Sequence, residues 1–96
     1  MQRDVVSTLE FDAWLAEQRG KARAKVLARI RNMYEGNYGD CEPVGEGVSE
    51  SKIDWGPGLR LYFVERGTKL VVLLCGGDKS SQASDIEKAK KLAKTV

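Results

Sequence analysis

Ninety-six residues with 42% hydrophobic and 31% charged side chains describe one small globular domain with a single modest core. The net charge of +2 does not by itself indicate a polyanionic partner, and the longest strongly apolar run, Leu70 to Cys75, is far too short to span a bilayer. No histidine is present, which removes the commonest zinc ligand and the commonest base near neutral pH.

In chain order, Val5-Val6 begins a short first strand. Ser7 then offers an N-cap, with Glu10 closing a capping box, and Phe11, Trp14, Leu15 and Gln18 recur at helical spacing over residues 8–18. Gly20 breaks that helix. Val26, Leu27, Ile30, Met33 and Tyr34 mark a second helix over 21–35, with Gly36 placed as its C-terminal glycine. The two form a helical hairpin. Residues 36–47, rich in Gly, Asn, Asp and Pro, read as loop. Extended structure follows over 48–55, with Ile53 and Trp55 on one face and Glu50, Lys52 and Asp54 on the other.

Gly56-Pro57-Gly58 turns the chain, and Leu59, Leu61 and Phe63 then alternate with Arg60, Tyr62 and Val64, as in a strand with one apolar face. Arg66-Gly67-Thr68 turns again. The run from Lys69 to Cys75 is apolar on both faces, as in a strand covered from both sides. A last helix spans about 82–94, with Asp78, Ser81 or Ser84 as its cap, Ser84 and Glu87 forming a second capping box. The expected fold is α+β, ordered βααβββα: a small antiparallel sheet with an N-terminal helical hairpin packed on it and a C-terminal helix.

Charge is unevenly distributed. Between Gln18 and Tyr34 there are six cations and no carboxylate, whereas residues 35–54 hold six carboxylates and one lysine. Lys21, Lys25 and Arg29 lie four apart and share one helical stripe, which suits either a solvated face or an RNA-facing one. Trp14 and Trp55 follow the buried faces and read as core. Cys41 and Cys75 have neither metal nor redox spacing, so no metal or cofactor is expected. The opening Met1-Gln2-Arg3-Asp4 lacks the layout of a secretory leader, which makes the cytoplasm the expected address.

Two blocks carry a resemblance. Val44-Gly45-Glu46-Gly47-Val48-Ser49-Glu50 with Ile53-Asp54-Trp55-Gly56-Pro57-Gly58-Leu59-Arg60-Leu61-Tyr62-Phe63 resembles the RelE/ParE toxin superfamily, in its HigB-like branch of addiction module killer proteins. Leu73-Leu74-Cys75-Gly76-Gly77-Asp78-Lys79-Ser80-Ser81-Gln82 and Asp85-Ile86 extend it, as do Phe11-Asp12-Ala13-Trp14-Leu15 and Ala28-Arg29-Ile30-Arg31. The resemblance implies the toxin of a type II toxin–antitoxin pair, an endoribonuclease that cuts messenger RNA on the ribosome. Its implied partners are the ribosome, mRNA and a helix-turn-helix antitoxin, with assembly on operator DNA and no membrane. Two other readings stay open: a ParE-like inhibitor of DNA gyrase, and an inactive homologue that serves as an antitoxin-binding corepressor.

Carried over by position, Arg60 matches the arginine after the glycine turn and implies phosphate stabilisation. Lys52 matches a basic strand position, as a phosphate clamp or, with a lowered pKa, as a base. Lys79 matches a basic residue of the loop after the last strand, next to helix N–H groups that favour anions. The final helix departs from the family in having neither tyrosine nor histidine, and Tyr62 is the substitute if it shares a face with Arg60. Lys21, Lys25 and Arg29 are the expected RNA-binding stripe.

Overall fold

The structure, a computed structural model, describes residues 2–96. Its elements are β1 (Asp4–Ser7), α1 (Leu9–Glu17), α2 (Gly20–Tyr34), β2 (Asp40–Gly45), β3 (Val48–Ile53), β4 (Leu59–Arg66), β5 (Leu70–Gly77), a single 3-10 turn at Lys79–Ser81, and α3 (Gln82–Ala93). Helix α1 starts one residue later than its capping-box pattern suggests. Thr8, not Ser7, is the cap: its Oγ1 accepts from the Phe11 N–H at 3.1 Å and donates to the Leu74 carbonyl at 2.5 Å. One hydroxyl thus satisfies a free helix donor and ties the helix start to β5. Ser7 instead donates to Asp12. The expected box at Ser84 and Glu87 is also absent, because Ser84 lies inside α3 and donates back to the Ser81 carbonyl.

The sheet has five strands in the order β1-β5-β4-β3-β2, all antiparallel neighbours except β1, which runs parallel to β5. Strand β2 corrects the expectation of loop over 36–47. It pairs along β3 from Asp40 opposite Lys52 to Gly45 opposite Val48, with an irregularity between Pro43 and Gly45. Five of its six residues are exposed, so no alternation of apolar side chains marks it in the sequence. Its proline is tolerated because an edge strand needs hydrogen bonds on one side only. The β2–β3 turn uses left-handed backbone at Gly45, Glu46 and Gly47.

Both faces of the sheet are covered. Leu59, Leu61, Phe63, Val71 and Leu73 pack with Phe11 of α1 and Val26 and Met33 of α2. On the opposite face Val48, Tyr62, Val64, Val72, Leu74 and Cys75 pack with Ala89 and Ala93 of α3. Strand β4 was expected to have one apolar face, but Tyr62 and Val64 are fully buried beneath α3. Strand β5 is covered on both sides, as its continuous apolar run requires. Burial of each large apolar side chain contributes about 1.5–3 kcal/mol. Trp14 and Trp55 are half-buried and pack against the first of these clusters.

Two glycines at the end of β5 let the layers close. A Cβ on Gly76 would collide with the Trp14 ring, and one on Gly77 with the Asp85 carboxylate. The fold is therefore a three-layer α+β arrangement, with α1 and α2 on one side of the sheet and α3 on the other.

Candidate active site

The Gly56–Gly58 turn is stapled to the loop after β5 by a hydrogen bond from the Lys79 N–H to the Pro57 carbonyl, 3.2 Å long. This brings three of the sequence-selected cations to one place. Lys52 and Arg60 are cross-strand partners on β3 and β4, and with Lys79 they line a cleft of about 260 Å³ whose other walls are Asp40, Ile53, Asp54, Gly58 and Leu59. Tyr62 does not reach this cleft. A separate cleft of about 410 Å³ is lined by Glu10, Glu17, Asp78, Asp85 and Lys88 among others, and its excess of carboxylates disfavours a phosphate.

Behind the cationic cleft lies a buried polar cluster. Glu50 is completely buried, and its Oε2 accepts from the Tyr62 hydroxyl at 3.0 Å and from Gln82 Nε2 at 2.9 Å. The same oxygen lies 3.4 Å from Arg60 Nε. Arg60 Nη1 donates to the Gly58 carbonyl at 2.9 Å. The guanidinium is thus held on two sides, by the carboxylate behind it and by the glycine turn beside it. A buried carboxylate that accepts from β4 and from α3, and lies in an ion pair with the guanidinium, fixes an arginine far better than solvent does.

Tyr62 shares the face of Arg60, which meets the condition set for it, but its surroundings remove the proposed chemistry. The phenol is fully buried and its pKa is pushed strongly up, first by burial and then by the hydrogen bond to and negative charge of Glu50. Such a phenol keeps its proton and supports Glu50 from inside the protein.

Lys52 also needs correction. Its ammonium lies 2.9 Å from Glu42 Oε1 on the neighbouring edge strand. That hydrogen bond, and then the charge of Glu42, raise its pKa rather than lower it. The carboxylate beside it favours its charged form, as a phosphate clamp requires. The partner was hidden from sequence reading because β2 was read as loop. Asp40 and Asp54 line the same cleft and carry no signal of their own in the sequence: one sits on that exposed edge strand, and the other simply shares a strand face with Glu50 and Lys52.

Lys79 makes no ion pair among the described residues. The N–H groups beside it are already partly answered, because Asp78 Oδ1 accepts from the Ser80 N–H at 2.8 Å and the Ser80 hydroxyl at 2.5 Å. These bonds hold the Asp78 carboxyl below the usual range. Lys79 itself therefore carries the cationic character of the loop.

The α2 stripe divides. Lys21 and Lys25 are exposed and, with Ala24, Ala28 and Trp55, line an open groove of about 420 Å³. Arg29 turns inward, its Nη1 donating to Ser51 Oγ at 2.7 Å and to the Lys52 carbonyl at 2.8 Å. It ties α2 to β3, so it lies deeper than the other two cations of the stripe.

Together these features define a small α+β protein with a cationic cleft backed by a buried carboxylate. Among the described residues no helix is long and apolar enough to cross a membrane, and no group of three or more acidic or cysteine side chains is placed to hold a metal. Over 97 aligned residues the chain is 45% identical to an uncharacterized protein of Haemophilus influenzae, covering 100% of this chain and 98% of that protein. It belongs to that protein's family. No family model matches the chain.

Proposed function

We propose that this protein is the toxin of a type II toxin–antitoxin pair with a RelE-like fold, a ribosome-dependent mRNA endonuclease neutralised by a helix-turn-helix antitoxin in the cytoplasm. The observation that carries the reading is the convergence of Lys52, Arg60 and Lys79 on one cleft, with Arg60 anchored from behind by Glu50. A helix pair on one face of a mostly antiparallel sheet and a C-terminal helix on the other also support it.

The chemistry follows from the lining groups. A ribose 2′-oxygen attacks the adjacent phosphorus, its proton passes to a carboxylate, and the bond from phosphorus to the 5′-oxygen breaks. Asp40 and Asp54 are the cleft carboxylates placed to accept that proton. Arg60 and Lys52 stabilise the charge that accumulates on the phosphoryl oxygens, in the manner of preorganised donors. Lys79 gives the departing 5′-oxygen its proton, leaving a 2′,3′-cyclic phosphate and a 5′-hydroxyl. Nothing in this scheme calls on Tyr62 to move a proton.

One observation favours a second reading, a ParE-like inhibitor of DNA gyrase: Lys52 is paired with Glu42 and Tyr62 is buried, so neither is set up as an efficient base. Primer extension on a translated message after induction separates the two. New ends within codons support the nuclease. Unchanged message with an induced DNA-damage response supports gyrase poisoning.

A further inference from the structure

The groove beside the cleft has no part in the chemistry above, yet its composition is specific. It is lined by Lys21, Ala24, Lys25 and Ala28 of α2 and by Trp55. Trp55 is half-buried, packed from behind against the core formed by α1, α2 and the sheet. The ring is therefore held in place while part of it faces open space. Neither lysine forms an ion pair among the described residues, and no carboxylate lines the groove.

The groove adjoins the cleft along the chain. Ile53 and Asp54 line the cleft and Trp55, the next residue, lines the groove. On the helix side, the stripe from Lys21 through Lys25 ends at Arg29, which bonds the carbonyl of the cleft residue Lys52. A polyanionic strand that enters the groove meets an aromatic face flanked by two ammonium groups.

We infer that this groove is a nucleotide subsite: a base of the bound strand stacks on the Trp55 indole, and Lys21 and Lys25 hold its phosphate. The inference rests on the RNA-acting reading above. Stacking tolerates any base, because every base offers a π-face, whereas the lysines contribute a salt-dependent term that is blind to sequence. An acidic protein segment would satisfy the lysines equally well but would leave the fixed ring face without a planar partner.

The test uses the free full-length protein and needs no ribosome. The two tryptophan indole N–H signals are assigned by NMR with W55F, and the wild-type protein is titrated with a short oligoadenylate, an abasic oligonucleotide of equal charge, and a polyglutamate peptide. The subsite requires oligoadenylate to shift the Trp55 signal upfield in the sense of ring stacking, with a much smaller response to the abasic strand. W55A is expected to weaken oligoadenylate binding on the order of tenfold. K21Q and K25Q are each expected to lower the salt slope by about 0.7. The wild-type titration decides the matter even if W55A does not fold. Equal shifts with all three ligands, or none with oligoadenylate at low salt, overturn the subsite. If cells show no message cleavage but Trp55 responds to the base, the nuclease reading falls and the subsite stands. If cleavage is found and Trp55 ignores the base, the subsite alone falls.

Discussion

Glu50 Oε2 lies 3.4 Å from Arg60 Nε, and that same fully buried oxygen also accepts from Tyr62 and Gln82. The arginine that points into the cleft is therefore anchored by a carboxylate that solvent cannot reach. Removing one partner of such a buried pair leaves the other uncompensated, typically at about 3–5 kcal/mol. E50A is expected to lose stability toward that range in urea unfolding, whereas E50Q, which still accepts from Tyr62 and Gln82, loses less. On the proposed toxin function, both variants should lose growth arrest, because a neutral group no longer fixes the guanidinium. E50A with wild-type unfolding would contradict the anchoring.

The pairing of Lys52 with Glu42 makes a separate claim. Because the carboxylate raises the lysine's pKa, E42Q should let the Lys52 titration fall toward that of an ordinary lysine. Both side chains are substantially exposed, so global stability should be almost unchanged. Titration of the Lys52 side chain by NMR reads this directly, and an unaltered midpoint in E42Q would show that the pair does not persist in solution.

Alkaline stability reports on Tyr38. Burial, then the hydrogen bond to Glu65 at 2.8 Å, push its phenol from 10.0 up to about 12. The folded state thus holds a proton that the unfolded chain releases. Its contribution is complete below pH 10.0 and is lost as the pH rises toward about 12. Y38F is expected to flatten the fall in stability across that window. Part of the slope should persist, because the Tyr62 pKa is raised as well. An identical slope in Y38F would mean that Tyr38 is not protected in the folded protein.

Gly77 makes room for α3. A methyl group there meets the Asp85 carboxylate, itself bonded to the Ser81 hydroxyl at 2.5 Å. G77A is expected to cost about 1–3 kcal/mol, the usual range for overpacking. The thermal midpoint should fall accordingly, and unchanged melting would show that α3 shifts without cost.

What the sequence discloses depends on burial. The helices and the apolar strands were legible because Phe11, Val26, Met33, Leu61 and Leu73 repeat at the spacing of the faces they bury. Strand β2 was illegible because it buries almost nothing, and with it went the Glu42 partner that changes the role of Lys52. The cleft cations Lys52, Arg60 and Lys79 were named by the resemblance alone. Their setting was not legible: the staple from Lys79 to Pro57, the inward turn of Arg29 and the convergence of Tyr62, Gln82 and Arg60 on Glu50 are products of register and layer packing. No local pattern encodes a contact between residues 32 positions apart, such as that of Gln82 with Glu50.

The central claim is that Arg60 acts on a phosphate in the cationic cleft. Its most direct test is primer extension on a translated message after induction of the wild-type protein and of R60A, with folding of R60A verified by circular dichroism. The account requires new 5′ ends within codons for the wild type and a loss on the order of 10²–10³ in cleavage for folded R60A. Messenger ends that are unchanged by the wild-type protein, or cleavage that survives in R60A, would contradict it.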